Sequence, residues 1–507
     1  VSGHTLDRWI RDRARATPER VAIDHAGGLM TYAELDGRSE GLAAGFLVAG
    51  LRRGDRVATL TGNSAEHVVV FFACAKAGLT LLPLNWRLSA VELAYQLDDA
   101  GPALLLVEPG LEAAGADAVS AAARAPRMLA LGGDEQRELE PGRPAVPPAP
   151  VEDDDALLLV YTSGTTGKPK GALLTHANSF WTNLGFDLAT GVSGDDVVLQ
   201  VLPQFHCGGW NVQPLLAWWK GATVVLERGF DAARCLELIA GKGVTSMMGV
   251  PAVYQFMAQE PGFGAADLSS LGRAVVGGAP MPEALLETWQ ARGVEIVQGY
   301  GLTEAAPNVL CLPPEDAVRK QGWAGRPYPF VDVALRDPDA GLLTDGPATG
   351  ELVVRGPNVF AGYWGNPEAT EAAFFDGWLL TGDVAERDAE GYYRICGRVK
   401  DMYISGGENV YPAEVEGVLH AHAAVADAAV VGVPDERWGE AGVAFVVLEP
   451  GEAAGIGAEE LRAWCTARLA KYKVPREVRF VEVLPRSAMN KVLKTELVAQ
   501  LEREPVA

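Results

Sequence analysis

Short apolar blocks and longer amphipathic stripes alternate along most of the chain. Residues 56–60 form an apolar run of strand length, 64–77 carry apolar residues at helical spacing, and 79–84 are apolar again. That succession predicts one βαβ unit. Residues 91–99 read as a further helix and 103–108 as a short buried strand. From 110 to 150 the periodicity is lost, ending in the stiff Pro-rich connector PGRPAVPPAP at 141–150. Alternation resumes with an apolar run at 156–160; strands are expected at 197–202, 222–226, 245–248, 273–276 and 294–297, and helices at 236–242 and 282–292. The pattern is that of a doubly wound α/β sheet. From about 350 it shifts to β-rich segments with many turn residues, GELVVRGPNVFAGYW and GWLLTGDVAERDAEGYYRICGR. After Arg398 a smaller α/β region follows, with apolar elements at 425–433 and 443–447. The expected fold class is α/β: a large N-terminal domain of doubly wound sheets plus a β-rich subdomain, residues 1–399, and a small C-terminal α/β domain, 400–507.

Composition narrows the function classes. The chain has 507 residues, enough for two or more domains, and its shares of hydrophobic (48%) and charged (21%) residues are those of a globular protein. No apolar run approaches the roughly 18–20 residues that span a bilayer. The net charge of −23 disfavours nucleic acid and anionic membrane surfaces, and offers no general attraction to ATP or coenzyme A. Local basic residues must supply any such attraction. The six cysteines, at 74, 207, 235, 311, 396 and 465, form no CxxC pair, so neither a zinc site nor a disulfide framework is indicated. The opening VSGHTLDRWIRDRARATPER is polar and amphipathic rather than a signal peptide, and a reducing cytoplasm is the expected location. Peripheral contact with a membrane, to collect a lipid substrate, stays open, as does a homodimer.

The densest chemistry follows the apolar run at 156–160. Tyr161-Thr162-Ser163-Gly164-Thr165-Thr166-Gly167-Lys168-Pro169-Lys170-Gly171 holds three glycines, four Ser/Thr hydroxyls and two lysines. Glycines let backbone N–H groups approach a polyphosphate, hydroxyls donate to it, and lysines offset its charge. A Walker A loop is excluded, because Thr162 and Pro169 stand where that pattern needs Gly and Ser/Thr. Two more glycine-bearing segments follow predicted strands: Gly277-Gly278-Ala279-Pro280 and Gln298-Gly299-Tyr300-Gly301-Leu302-Thr303-Glu304. Both are expected as strand-end loops on one edge of a sheet, where open α/β folds bind ligands. A tyrosine there can stack on a purine, and a glutamate can hold a Mg²⁺ that bridges phosphates. Ordinary turns would read the same way at 277–280.

The run YTSGTTGKPKG resembles the signature of the acyl-adenylate-forming superfamily, which includes acyl-CoA synthetases, amino-acid adenylation domains and beetle luciferases. Further motifs follow in that family's order over nearly the whole chain. The resemblance implies that Thr162, Ser163, Gly164, Thr165, Thr166, Gly167 and Lys170 handle the ATP phosphates, with Thr165 a weaker Mg²⁺ contact. QGYGLTE resembles the YG(L/M)TE motif: Tyr300 packs on adenine between Gly299 and Gly301, Thr303 contacts the α-phosphate and Glu304 holds Mg²⁺. Gly278, Ala279 and Pro280 line the adenine and acyl pockets, with Gly277 and Gly301 beside the acyl group. Thr381-Gly382-Asp383 resembles the TGD motif, which gives Asp383 the ribose hydroxyls; Gly397-Arg398-Val399-Lys400-Asp401 matches GRxKD, which places Arg398 on the ribose and Lys400 at the hinge of a mobile C-terminal domain.

Phe205 and His206 occupy the place of the family's aromatic–His pair at the acyl wall, and Trp210 stands where some long-chain fatty acyl-CoA synthetases carry a gating tryptophan, although core packing explains it equally. Amino-acid adenylation domains carry an Asp where His206 stands. A buried ammonium without a carboxylate is costly, so an amino-acid substrate is disfavoured. Ser405-Gly406-Gly407-Glu408-Asn409 resembles the loop of the pantetheine tunnel, and Trp438, Tyr472, Lys473 and Arg476 take positions that contact coenzyme A; solvated surface charge is the plain alternative for Lys473 and Arg476. Pro485-Arg486-Ser487-Ala488-Met489-Asn490-Lys491 resembles PRTxxGK, which makes Lys491 the catalytic lysine, with Asn490 in place of the usual Gly. A compact ammonium bridging substrate carboxylate and α-phosphate lowers their repulsion. The reading implied is an AMP-forming acyl-CoA synthetase using ATP, Mg²⁺ and coenzyme A. Its expected acid is a medium- or long-chain fatty acid; the alternative is a hydroxycinnamate or benzoate-type acid, which QGYGLTEAAP and Asn490 also suggest.

Overall fold

The computed structural model describes residues 3–139, 150–162, 168–337, 341–406, 408–435, 437–449, 456–486 and 492–503. The chain divides into two compact units. Val1–Met281, Leu285–Val333 and Val354–Leu380 make the first; Pro282–Ala284, Ala334–Val353 and Thr381–Ala507 make the second.

The first unit is built on two sheets with parallel centres; the nine-stranded sheet is antiparallel at both edges, the seven-stranded sheet at one. The nine-stranded sheet runs in the order Arg326–Pro327, Asn308–Cys311, Ile296–Gly301, Arg273–Val276, Ser246–Gly249, Val197–Gln200, Thr223–Leu226, Val21–His25, Gly28–Thr31. The six strands from Ile296–Gly301 to Val21–His25 are parallel. The seven-stranded sheet runs Gly362–Tyr363, Lys170–Thr175, Ala156–Thr162, Thr80–Leu84, Arg56–Leu60, Leu104–Val107, Arg127–Ala130. Its central strands are covered on both faces, so they read as unbroken apolar runs: all five residues of Thr80–Leu84 are buried. Helix ends are marked by side chains. Ser64 accepts from the backbone N–H of His67 to start Ala65–Ala77, and Gly78 ends it in the left-handed region. Thr175 and Asn178 form a reciprocal cap at the start of His176–Thr190.

A third sheet, most of whose residues belong to the second unit, joins Gly341–Leu343, Asp332–Asp337, Ala348–Arg355 and Trp378–Arg387, with Tyr393–Arg398 also paired to Trp378–Arg387. A five-stranded sheet runs Glu408–Val410, Tyr403–Ser405, Gly439–Leu448, Val425–Asp435, with Glu477–Phe480 alongside Gly439–Leu448. The long Val425–Asp435 hairpin is apolar on both faces because both are covered. Ala428, Val430, Ala444 and Val446 pack with Val415, Leu419 and Leu461, while Ala429, Val431, Val443 and Phe445 pack with Leu497 and Leu501.

The segment 110–150, expected to lack periodic structure, holds Glu112–Ala121, Arg127–Ala130 and Asp134–Glu138. The first of these helices, EAAGADAVSA, has Val119 as its one large apolar residue and buries only Gly115 and Ala118, so it carries almost no apolar stripe to detect. The Pro-rich stretch at 141–150 lies outside the described residues except for Pro150. No helix among the described residues is long and apolar enough to cross a membrane. All six cysteines are free, and no group of ligands suited to a metal cluster occurs among the described residues.

Candidate active site

The phosphate-type loop joins two antiparallel strands, Ala156–Thr162 and Lys170–Thr175, with Thr162 opposite Lys170. Ser163, Gly164, Thr165, Thr166 and Gly167 lie outside the described residues. The base of the hairpin is fixed from one side. The Tyr95 hydroxyl donates to Pro169 O at 3.1 Å, and the Tyr161 hydroxyl donates to Asp99 at 2.5 Å. Burial, and then that carboxylate, raise the Tyr161 phenol well above its ordinary range. Lys168 stands over the Tyr95 ring and Lys170 over the Tyr363 ring, at 5.8 and 5.1 Å from the centroids. Neither lysine makes an ion pair among the described residues, so both charges are available to an anion.

The QGYG segment continues the strand Ile296–Gly301 instead of turning out of it, and pairs antiparallel with Asn308–Cys311. Gly299 lies opposite Cys311 and Tyr300, half-buried, opposite Leu310. A side chain at Gly301 would put its Cβ 1.9 Å from Pro307 O, so the close approach of the two strands requires glycine there. Gly277 is buried, with a would-be Cβ 2.8 Å from Met248 Cε, whereas Gly278, Ala279 and Pro280 are exposed. The short helical turn Thr303–Ala305 carries Thr303 and Glu304. Glu304 Oε1 accepts from the Tyr363 hydroxyl at 2.8 Å and from Thr162 Oγ1 at 3.3 Å. Among the described residues Oε2 accepts no hydrogen bond. A free carboxylate oxygen beside a phosphate-type hairpin fits a hard divalent cation such as Mg²⁺. The Tyr363 contact spans 59 residues and went unseen in the sequence, where GYW read only as strand and turn.

Phe205 and His206 lie with ring centroids 4.6 Å apart. Burial first, then the Arg87 guanidinium, hold the His206 pKa at about 4, so the imidazole is neutral. Cys207 is buried; burial foremost pushes its thiol up to about 12. Trp210 is wholly buried, stacked on Phe71 at 4.6 Å, edge-on to His67, with its indole N–H donated to Gln204 O at 2.6 Å. Core packing accounts for this placement.

In the second unit Asp383 and Arg398 face each other across paired strands, Oδ1 to Nε 2.9 Å, with Asp383 nearly buried. Gly382, at φ +69, turns the chain between Thr381 and Asp383, and Thr381 Oγ1 accepts from the Asp383 N–H at 3.0 Å. Lys400 is exposed in the short turn Val399–Asp401. Ser405 and Glu408 end the hairpin Tyr403–Ser405/Glu408–Val410, with Ser405 buried and Glu408 exposed; Gly407 lies outside the described residues. Gly406 donates to Trp438 O at 2.8 Å, and at φ +63 its would-be Cβ falls 2.7 Å from the Trp438 ring. Two separate sequence motifs thus meet at one spot. Tyr472 packs against the core of this unit. Lys473 binds both carboxylate oxygens of Glu414 at 2.7 Å, and Arg476 binds Asp435 at 3.1 Å. Lys491 lies outside the described residues.

Residues 10–364 match the family described as AMP-binding enzyme, and 414–491 match its C-terminal domain. The chain is 44% identical over 492 residues to the feruloyl-CoA synthase of an Amycolatopsis species, covering 97% of this chain and 98% of that one. It is 39% identical over 497 residues to the long-chain-fatty-acid–CoA ligase FadD13 of Mycobacterium tuberculosis, covering 97% of each. Among solved structures, the o-succinylbenzoate CoA synthetase of Bacillus subtilis in complex with its acyl-adenylate superposes with a TM-score of 0.87 at 34% identity, covering 97% of each chain.

Proposed function

The chain belongs to the AMP-binding enzyme family and is an AMP-forming acid–CoA ligase, and from that premise we propose that the acid it activates is aromatic, of the feruloyl or coumaroyl type. The observation that carries this reading is the placement of Trp210. The nearly neutral stretch 205–210 with Trp210 is what favours a long alkyl chain, and the Trp210 ring faces Phe71 and His67 while its N–H is donated to Gln204 O. The wall that remains is the Phe205–His206 ring pair, with His206 neutral. Flat rings and glycine backbone at 277, 299 and 301 suit a planar aromatic acid. The 44% identity to a feruloyl-CoA synthase supports the same choice. A medium- or long-chain fatty acid is the second reading, favoured by the 39% identity to a fatty-acid ligase.

In the proposed reaction the acid's carboxylate attacks the α-phosphorus of ATP, giving acyl-AMP and pyrophosphate. Lys168 and Lys170 neutralise the phosphates, Thr162 orients them, Thr303 lies at the α-phosphate, and Lys491 bridges carboxylate and phosphate. Mg²⁺ entering with ATP would be held by Glu304 and would neutralise phosphate charge. Asp383 and Arg398 hold the ribose. The thiol of coenzyme A then attacks the acyl carbonyl and releases AMP. For one small domain to serve both steps, it would rotate about Lys400, offering Lys491 in the first and residues 405–409 in the second. The test is CoA-dependent AMP formation with ferulate, coumarate, benzoate, octanoate, palmitate and phenylalanine. Ferulate or coumarate should give the highest kcat/KM; higher values with octanoate or palmitate would return the enzyme to the fatty-acid reading.

A further inference from the structure

Glu304 is held by a segment that the reaction chemistry does not call upon. Phe360 N donates to Glu304 O at 2.9 Å, and Asn358 Nδ2 donates to Ala305 O and Asn308 O at 2.9 and 3.0 Å. The backbone at Glu304 and after it is therefore tied down. From the same segment the Tyr363 hydroxyl reaches Oε1 at 2.8 Å. Thr162 shares that oxygen at 3.3 Å, a long and weaker bond. Tyr363 is itself fixed on several sides. It pairs with Ala172 of the phosphate hairpin, its N–H donates to Thr370 Oγ1 at 2.9 Å, and the Phe360 ring meets its edge at 4.9 Å. Gly362 beside it sits at φ +130, with a would-be Cβ 2.7 Å from Thr370 Cγ2, so the chain passes Thr370 too closely for any side chain.

We propose that Tyr363 is a positioning residue for Glu304: by donating to Oε1 it fixes the carboxylate plane and leaves Oε2 as the single oxygen offered to the divalent cation that accompanies ATP. This rests on the reading of Glu304 as the Mg²⁺ ligand, not on the identity of the acid. Mg²⁺ is small, wants near-octahedral geometry and takes carboxylates one oxygen at a time. A donor that occupies the second oxygen enforces that mode, and loss of such an outer partner costs about 10–100-fold in metal affinity. The placement also links two parts of the phosphate site. Lys170 lies over the Tyr363 ring while the hydroxyl holds the carboxylate, so one side chain spaces a cation from an anion that would otherwise collapse into an ion pair.

The variant Tyr363→Phe removes the hydroxyl and keeps the ring. ATP binding to the full-length enzyme is measured by calorimetry with saturating Mg²⁺ and with EDTA, without acid or coenzyme A. The Kd for Mg·ATP should rise about tenfold or more, while the Kd for metal-free ATP stays within about twofold. The Mg²⁺ concentration for half-maximal adenylation should rise in step. Equal weakening with and without metal would make Tyr363 a packing residue and overturn the proposal, as would unchanged Mg·ATP binding. A wild-type enzyme that binds ATP equally well with and without Mg²⁺ would remove its premise. If Tyr363→Phe does not fold, Thr370→Val, which removes the acceptor of the Tyr363 N–H, decides: it must weaken Mg·ATP binding while the Kd for metal-free ATP stays within about twofold, and equal weakening of both overturns the proposal. Failure of the ferulate assay leaves this test untouched, because no acid is present.

Discussion

If Trp210 packs rather than gates, replacing it should cost stability and leave the choice of acid alone. Trp210→Phe keeps a ring against Phe71 but deletes the indole N–H that satisfies Gln204 O at 2.6 Å. Leaving a buried carbonyl without its donor costs about 1–3 kcal/mol. Trp210→Ala removes the whole side chain and should cost about 3–5 kcal/mol. The stacking itself is separable by a double-mutant cycle with Phe71→Leu, whose coupling should be about 0.5–1.5 kcal/mol. The assay pairs urea unfolding with kcat/KM for ferulate and for octanoate on the same preparations. Expected is a stability loss in that order, Ala more than Phe, with the ferulate-to-octanoate ratio constant within about twofold. A ratio that moves tenfold while the unfolding midpoint stays still would refute the packing argument and restore Trp210 as a chain-length gate.

Three further outcomes follow from other residues. Lys491→Ala should abolish pyrophosphate release yet largely spare thioester formation from supplied acyl-AMP; equal loss of both half-reactions would contradict the assignment of Lys491 to the first step alone. Asp383→Asn keeps the shape but loses the charge that pairs with Arg398 at 2.9 Å and would accept from both ribose hydroxyls. Charged hydrogen bonds are worth about 1.5–3 kcal/mol, so the KM for ATP should rise roughly 10–100-fold while that for the acid stays put; an unchanged KM for ATP would remove Asp383 from the nucleotide site. Burial holds His67 at a pKa of about 3 and His176 and His206 at about 4, all below the usual 6.5. The unfolded chain takes up these protons first, so stability is full above about pH 6.5 and falls as pH drops toward 4, by up to about 1.4 kcal/mol per pH unit for each histidine. His67→Leu should flatten that slope in urea unfolding between pH 7.5 and 5; an unaltered slope would mean His67 is not buried neutral.

Much of the framework was legible because buried parallel strands announce themselves. Arg56–Leu60 and Arg273–Val276 lie where their apolar runs end, and Thr80–Leu84 falls within one residue of its expected start. Covered on both faces, such strands have no polar alternation to blur their limits. The motif residues were legible one by one, and the structure brings some of them together: Asp383 with Arg398, Gly406 with Trp438, Thr162 with Glu304. Two kinds of feature escaped. The helix Glu112–Ala121 buries almost no large apolar side chain, so periodicity had nothing to register. Tyr363 acts on Glu304 from 59 residues away through one hydroxyl, and no local pattern encodes a pairing of that range. The continuation of Ile296–Val297 into Gly299 and Gly301 was also hidden, because glycine in a strand reads as a turn until the neighbouring backbone shows why only glycine fits.

The charge arrangement explains how so acidic a chain can serve anionic substrates. With a net charge of −23 it cannot draw ATP or coenzyme A by its overall field. Its candidate cations fall into two classes. Lys168 and Lys170, on the phosphate hairpin, rest over aromatic rings and make no ion pair among the described residues. An aromatic face holds an ammonium by only about 0.5–2 kcal/mol, so a polyphosphate can take it at little cost. Arg398, Lys473 and Arg476 are instead tied to Asp383, Glu414 and Asp435. These pairs are partly open to solvent, and exposed pairs are worth about 0–1 kcal/mol, so they orient the cations without locking them. A phosphate on coenzyme A would compete with a carboxylate for Lys473 and Arg476, whereas at the proposed site the phosphates of ATP would meet lysines that make no ion pair among the described residues. On electrostatic grounds the hairpin therefore offers an anion those cations that need no carboxylate displaced. With the proposed roles, coenzyme A would owe more of its hold to contact with the turn at Gly406 and Trp438, and salt should weaken ATP binding more steeply than coenzyme A binding.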